Sequence, residues 1–349
     1  MNEPSLAPAP APAERPPIAK RLVMCVARFL AVLAVVLLAA SCHVLQPTGS
    51  SQPAKRHADP ARLRDQVRAF TEDFGPRYHD RPENLARCRE YLRQTFEKCG
   101  ARVEEQTYQA GGREFRNVRA FFGDPNLPRI VVGAHYDTCE ESPPKVNPGA
   151  DDNASGVVGL LGLAELLKHE RPERVAVELV AYCTEEPPYF ASNDMGSFRH
   201  AEALRKEGAV VKGALVLEMI GYFSDAPGSQ RYPVPLMKLF YPSQGNFISL
   251  VGGIEDRKLI ATTKRAMQGA APVPVYSSCI PRAMKSVHLS DHRNYWPFGY
   301  SALMVTDTAF YRNDNYHEPT DTWQSLDYPR MAHVLTQVHQ AVLALAKES

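Results

Sequence analysis

Between residues 129 and 220 three short apolar runs, RIVVGAHYD, VAVELVAYC and GALVLEMI, are separated by two longer segments. The runs have strand length, whereas SGVVGLLGLAELLKHE (155–170) and the stretch around 194–207 have helix length and a helical apolar period. Strands that alternate with helices pair in parallel, because a parallel connection must travel back along the whole sheet before the next strand begins. The expected fold is therefore α/β, a single globular domain with a mostly parallel central sheet and helices on both faces. PENLARCREYLRQTFEKCG (82–100) predicts an amphipathic helix stopped by Gly100. YSALMVTD (300–307) predicts a further strand, and DYPRMAHVLTQVHQAVLALAKE (327–348) a closing helix with Pro near its start. Asn153 or Ser155 is placed to cap the helix that follows GADDN. Residues 222–280 carry the weakest pattern and are expected to hold an insertion that shapes a pocket.

The first 61 residues do not share this pattern. Residues 1–18 are rich in Pro and Ala and cannot bury enough surface to order themselves. Lys20 and Arg21 then precede an apolar stretch that runs from Phe29 to Ala40, short for a membrane-spanning helix. A basic region, an apolar core and small residues at the exit are the layout of a secretory signal. LAASC resembles the lipobox of bacterial lipoproteins, with Cys42 as the residue to be lipidated, although Ala39 stands where that motif prefers Leu. A lipoprotein signal, cleaved export and an uncleaved anchor all remain open. Each takes the remainder out of the cytoplasm, to the periplasm or to a bacterial membrane. The expected division is a targeting segment at 1–42, a polar tether at 43–61 and one catalytic-type domain at 62–349.

Composition removes several function classes. With 40 Lys+Arg against 39 Asp+Glu, the chain has no charge excess that would select nucleic acid. The seven cysteines are odd in number and irregular in spacing, so they do not form a disulfide framework, and no CxxC pair suggests a thiolate zinc site. Cys88 and Cys99 fall on one predicted helix, roughly 16 Å apart at about 1.5 Å per residue, which is too far to bridge. The glycines of GVVGLLG have the spacing of a nucleotide fingerprint but lie inside a helix, where they allow close packing instead. NASG around Ser155 is not the GxSxG of a serine hydrolase.

The polar residues at the strand ends carry the chemistry. In open α/β sheets ligands bind beyond the carboxyl ends of the strands, where residues distant in sequence converge on one rim. His135 and Asp137 end the first run, Glu185 and Glu186 follow the second, Glu218 ends the third, and His317 follows the strand at 300–307. Asp151 and Asp152 precede the capped helix and face the same rim. Each has a plain structural reading when taken singly: an isolated dyad, a capped turn, a solvated pair, a paired core carboxylate, a loop histidine. Their joint placement assembles His135, Asp152, Glu186, Glu218 and His317, which is the donor set of a metal site with two imidazoles, three carboxylates and no thiolates. His288 and His292 are expected at the rim outside that set, with Ser290 or Asp291 as a helix cap.

HYDT, GADDNASG, TEEPPYF followed by MGS, LEMIGYF, and SDH through YHEPTDT resemble, in this order, the co-catalytic zinc aminopeptidases of peptidase family M28, from about residue 75 to the C-terminus. The resemblance implies two zinc ions. Asp152 would bridge them, Glu186 and His317 would complete one, and His135 and Glu218 the other. Asp137 would orient His135, as ligating imidazoles require, and Glu185 would be the general base. It also implies a cis peptide bond between Asp152 and Asn153. Many relatives carry Asp where this chain has Glu218, so that ligand is one methylene longer here. Two adjacent glutamates then serve one site, since a metal charge offsets their repulsion. Tyr316, beside His317, is a candidate donor to a developing oxyanion, or a packing residue. Tyr189, Phe190, Phe223 and Phe310 are candidates for a pocket wall or for the core. The implied activity is hydrolysis of the first peptide bond of peptides with a free N-terminus. Glutaminyl cyclases, which share the fold but use one zinc for acyl transfer and carry Trp where this chain has Tyr316, are the alternative enzyme. A non-catalytic member of the fold is the other alternative.

Overall fold

A computed structural model describes residues 18–44, 51–140 and 146–348. The Pro/Ala-rich start at 1–17, residues 45–50 of the expected tether and the side chain of Cys42 lie outside the described residues.

Eight strands form one mixed sheet: β1 (Arg102–Ala110), β2 (Arg113–Phe122), β3 (Arg129–His135), β4 (Ala176–Tyr182), β5 (Val211–Glu218), β6 (Ile248–Gly253), β7 (Val275–Ile280) and β8 (Ala302–Thr306). Their order is β1-β2-β4-β3-β5-β8-β6-β7. The central four, β4-β3-β5-β8, are parallel, as the alternation of apolar runs and helices predicts. β2 pairs antiparallel with both β1 and β4, and β6 pairs antiparallel with β8 and parallel with β7.

Helices α2 (Pro60–Glu72), α3 (Pro82–Lys98), α4 (Gly156–His169), α6 (Arg257–Met267) and α7 (Tyr328–Lys347) bury their apolar stripes in one cluster. Val132, Leu179 and Leu215 of the sheet meet Leu92, Leu160 and Leu335 there. The adjacent residues Val131, Val180 and Ala214 point the other way and pack with Leu204, Tyr295 and Trp296. Those three come from α5 (Gly196–Lys206) and the 3-10 segment Asp291–Phe298. Consecutive side chains on a strand face opposite sides, so near-continuous apolar runs are required to cover both faces.

α4 shows why a helix here carries glycines. A Cβ on Gly159 would lie 3.0 Å from Ile220 and 3.1 Å from Leu217 and Leu335, and one on Gly162 would lie 3.0 Å from Leu335 and Leu63. The glycines thus admit α7 and α2 as well as the sheet. Asn153 rather than Ser155 caps α4, its Oδ1 accepting the Gly156 N–H at 3.1 Å.

The packed chain starts before the expected boundary at 62. Ser51 N–H donates to Gln268 O at 2.7 Å and Ala54 N–H to Ala270 O at 3.0 Å, and α2 begins at Pro60. At the N-terminus α1 (Ile18–Val44) leaves Leu22, Val23, Phe29 and Leu30 exposed. Among the described residues no helix is long and apolar enough to cross a membrane. Among the described residues Cys25, Cys88, Cys99, Cys139, Cys183 and Cys279 form no disulfide.

Candidate active site

The parallel strands end level with one another. His135 sits opposite Tyr182 and Glu218 opposite Thr306, so the loops after β3, β4, β5 and β8 leave from one edge in the spatial order β4, β3, β5, β8. Several non-glycine residues on these loops take left-handed backbone angles, among them Thr184 (φ 61°), Met219 (φ 50°) and His317 (φ 58°). Side chains disfavour that region, so surrounding contacts must hold it. Thr184 Oγ1 donates to Asp194 O at 2.7 Å, and Met219 N–H donates to Asn153 Oδ1 at 3.1 Å. These bends direct Glu185 and His317 across the rim instead of outward.

Asp152 lies at the centre. His135 Nε2 is 3.4 Å from its Oδ1 and His317 Nε2 is 3.1 Å from its Oδ2. Glu218 Oε2 stands 3.4 Å from His135 Nε2, Glu186 Oε2 stands 3.6 Å from His317 Nε2, and Glu185 Oε2 is 4.0 Å from His135 Nε2. The five expected ligands and Glu185 therefore converge. Donor atoms of His135, Asp152 and Glu186 lie within 4.8 Å of one another, and so do those of Cys139, Glu186 and His317. Cys139 was not among the expected ligands. The peptide bond between Asp152 and Asn153 is cis.

Asp137 does more than orient one imidazole. His135 Nδ1 is 3.2 Å from the Asp137 carbonyl and 3.7 Å from its carboxylate, contacts that orient the ring so that Nε2 faces the cluster. The same carboxylate accepts the N–H groups of Glu185 (3.3 Å) and Glu186 (3.2 Å). One aspartate thus ties the β3 loop to the β4 loop.

Several supporting residues escaped sequence reasoning, because their partners are distant in the chain. Asp321 accepts the N–H groups of Asp151 (2.9 Å) and Asp152 (3.0 Å). Asp151 itself turns away from the cluster, its Oδ1 accepting from Gly221 N–H at 3.0 Å and its Oδ2 from Asn313 Nδ2 at 2.9 Å. Fully buried Arg77 donates to the carbonyls of Tyr136, Phe70, Pro148 and Gly149. Gly149 has φ 61°, and a Cβ there would lie 2.3 Å from Asp152 O, so only glycine fits this turn. Ser290 holds the N-cap position of the segment Asp291–Phe298, but its hydroxyl does not cap it and instead donates to Glu218 Oε2 at 2.7 Å. Asp291, pushed up to about 7 by burial, accepts from the Ser197 hydroxyl beside His135. His288 and His292 direct their rings to the carbonyls of Arg282 and Val287.

The electrostatics call for a cation. Burial, then the charges of Glu186 and Glu218, raises the Glu185 carboxyl well above its usual range despite His135. Burial and Asp152 do the same to Glu186. For Asp152 burial is outweighed by the two imidazoles, which hold it low. Glu186 Oε1 and His135 Nε2 are buried without a hydrogen-bond partner. Buried polar atoms are ordinarily satisfied, and a divalent ion among these carboxylates would satisfy both while offsetting the mutual repulsion. The donor set fits zinc.

An apolar pocket opens beside Glu218 and Tyr316, walled by Tyr232, Met237, Phe247, Ile280, Met304 and Phe310. Residues 222–280 supply much of it, as expected, and they also extend the sheet through β6, α6 and β7. Of the four aromatic candidates only Phe310 lines this pocket. Tyr189 packs on Phe115, Phe190 lies under Arg293, and Phe223 lies under Arg312 and Arg330. Tyr316 stacks on the His317 ring with centroids 3.8 Å apart, and burial and the nearby carboxylates raise its phenol, which keeps it protonated.

Comparison with known proteins fits this arrangement. An uncharacterized Escherichia coli protein, YfbL, is 44% identical over 297 residues, covering 84% of this chain and 91% of its own. Among solved structures the Legionella pneumophila LapA aminopeptidase has a TM-score of 0.65 at 19% identity, covering 83% of this chain and 73% of its own. A Bacteroides thetaiotaomicron glutaminyl cyclase has a TM-score of 0.61 at 17% identity, covering 84% and 99%. At such identities these two structures speak for the fold alone. The sequence profile of Peptidase family M28 matches residues 117–342, which run from β2 to α7 and include every side chain of the rim cluster, and on that match the chain belongs to peptidase family M28.

Proposed function

We propose that this chain is a two-zinc aminopeptidase that hydrolyses the first peptide bond of peptides with a free N-terminus. The observation that carries the reading is the placement of His135 and His317 on opposite oxygens of Asp152, each with its own glutamate. Zinc, when bound by His135, Asp152, Glu218, Glu186 and His317, supplies a Lewis acid that polarises the scissile carbonyl and makes water ionise near neutral pH. Glu185 takes the proton from the attacking water and passes it to the leaving amine. Glu185 is buried at the cluster, 4.0 Å from His135 Nε2, where a carboxylate can accept and then release one proton. The Tyr316 phenol donates to the oxygen on which charge develops, and Glu185 also faces the substrate α-amine. The apolar pocket beside Tyr316 takes the first side chain.

Glu185→Gln is expected to abolish turnover of amino-acid anilides while zinc content stays unchanged. Near-normal rates in that variant would show that another group is the base. Release of a free amino acid distinguishes this activity from cyclisation of an N-terminal glutamine, the reaction of the alternative reading. Export through the N-terminal segment, with Cys42 lipidated, belongs to the same proposal. Mass spectrometry of the mature N-terminus tests it, and an unmodified Cys42 preceded by residues 1–41 refutes lipidation.

A further inference from the structure

We propose that Cys139 is a ligand of the metal position served by His317 and Glu186, so that one of the two positions carries a thiolate and the other does not. The inference rests on the metal reading of the site. Cys139 Sγ and donor atoms of Glu186 and His317 lie within 4.8 Å of one another. The thiol is 5% exposed and is not in a disulfide. Glu186 is 4% exposed, and its buried Oε1 has no hydrogen-bond partner, so an acceptor stands in this cluster without a donor.

The surroundings hold Cys139 where it is. Thr138 N–H donates to Arg77 O at 3.1 Å and Arg77 N–H to Thr138 Oγ1 at 3.2 Å, which pins the residue before it. Asp137, two residues upstream, accepts the Glu186 N–H. Cys139 and Glu186 therefore belong to two loops tied together by one carboxylate, and their separation is set by fixed backbone.

The consequence is an asymmetric pair. His135, Asp152 and Glu218 offer nitrogen and oxygen only, whereas His317, Glu186 and Cys139, sharing Asp152, offer sulfur as well. Thiolates favour zinc and softer ions over manganese or magnesium. On binding, the Cys139 thiol loses its proton to solvent and the sulfur lone pair goes to the metal, with no change of oxidation state. Filling this position thus releases one more proton in the natural chain than in Cys139→Ser.

The test is X-ray absorption at the zinc edge of the full-length protein loaded with zinc. A sulfur scatterer at about 2.3 Å is expected, on the order of half a sulfur per zinc with both positions filled, and it should vanish in Cys139→Ser. Cobalt loading of the unaltered protein gives a second readout that needs no variant, a near-ultraviolet thiolate-to-cobalt charge-transfer band. Bound zinc with nitrogen and oxygen neighbours alone, or a sulfur signal that persists in folded Cys139→Ser, overturns the proposal and leaves the aminopeptidase reading standing. Failure to retain zinc at all overturns both.

Discussion

Removing a side chain at the rim should cost in the quantity that its contacts control. Tyr316 is held protonated beside the cluster by burial and by the carboxylates around it. Tyr316→Phe is expected to lower kcat on the order of 100-fold with little change in KM, because an oxyanion donor acts only in the transition state. Unchanged kcat would make the residue a packing partner of His317. Asp321 touches no expected ligand side chain, yet it holds the backbone N–H groups of Asp151 and Asp152. Asp321→Ala should weaken zinc binding by about 10–100-fold, measured by competition with a chromogenic chelator. The expected ligands could be singled out in the sequence, since His135, Glu186 and Glu218 end or closely follow apolar runs, Asp152 precedes a capped helix and His317 follows the strand at 300–307. Ser290, Asp321, Arg77 and Cys139 were not, since a hydroxyl that meets a glutamate 72 positions away leaves no local trace.

Strands and helices carry their own determinants. β4 buries Glu178 completely in the middle of the sheet, where Arg119 of β2 reaches it at 2.6 Å, Arg129 of β3 at 3.3 Å and His200 of α5 at 3.0 Å. Burial by itself would raise this carboxyl, but His200 and Arg119 outweigh it and hold it at about 2. Its folded value lies below the ordinary 4.5, so the unfolded chain takes up the proton first as pH falls. The stabilisation is complete above about 4.5 and is lost as pH falls toward 2. Glu178→Ala should cost up to about 3–5 kcal/mol near neutral pH, because Arg119 and Arg129 would then share only the more exposed Glu207 carboxylate. Urea unfolding should show the gap between variant and natural chain narrowing below about pH 4.5. The apolar run VAVELVAYC identified β4 but gave no hint of this pair, because the cations come from other strands. β1 and β2 went unread for a related reason. REFRNVRAFF mixes charges into a strand, and only pairing with β4 makes that segment a member of the sheet.

At the scale of the whole molecule the site is a junction. Loops from four strands meet at one cluster, so ions bound there would cross-link segments that the unfolded chain keeps far apart. Removing zinc with a chelator should abolish activity and lower the melting temperature, and added zinc should restore both. Each ion present at 100 times its Kd contributes about 2.7 kcal/mol. Calorimetry with and without chelator checks this, and identical melting curves would mean that no ion joins the loops. The sequence alone determined the class of the fold, the order of the central elements and the residue types at the rim. These depend on local period, on turn chemistry and on the rule that parallel strands present their carboxyl ends together. Only the tertiary structure decided that Asp137 ties two loops, that a thiol stands beside the cluster, and that residues 222–280 both widen the sheet and wall the pocket. Those are distances between groups far apart in the chain, and such distances are set by packing rather than by any local pattern of residues.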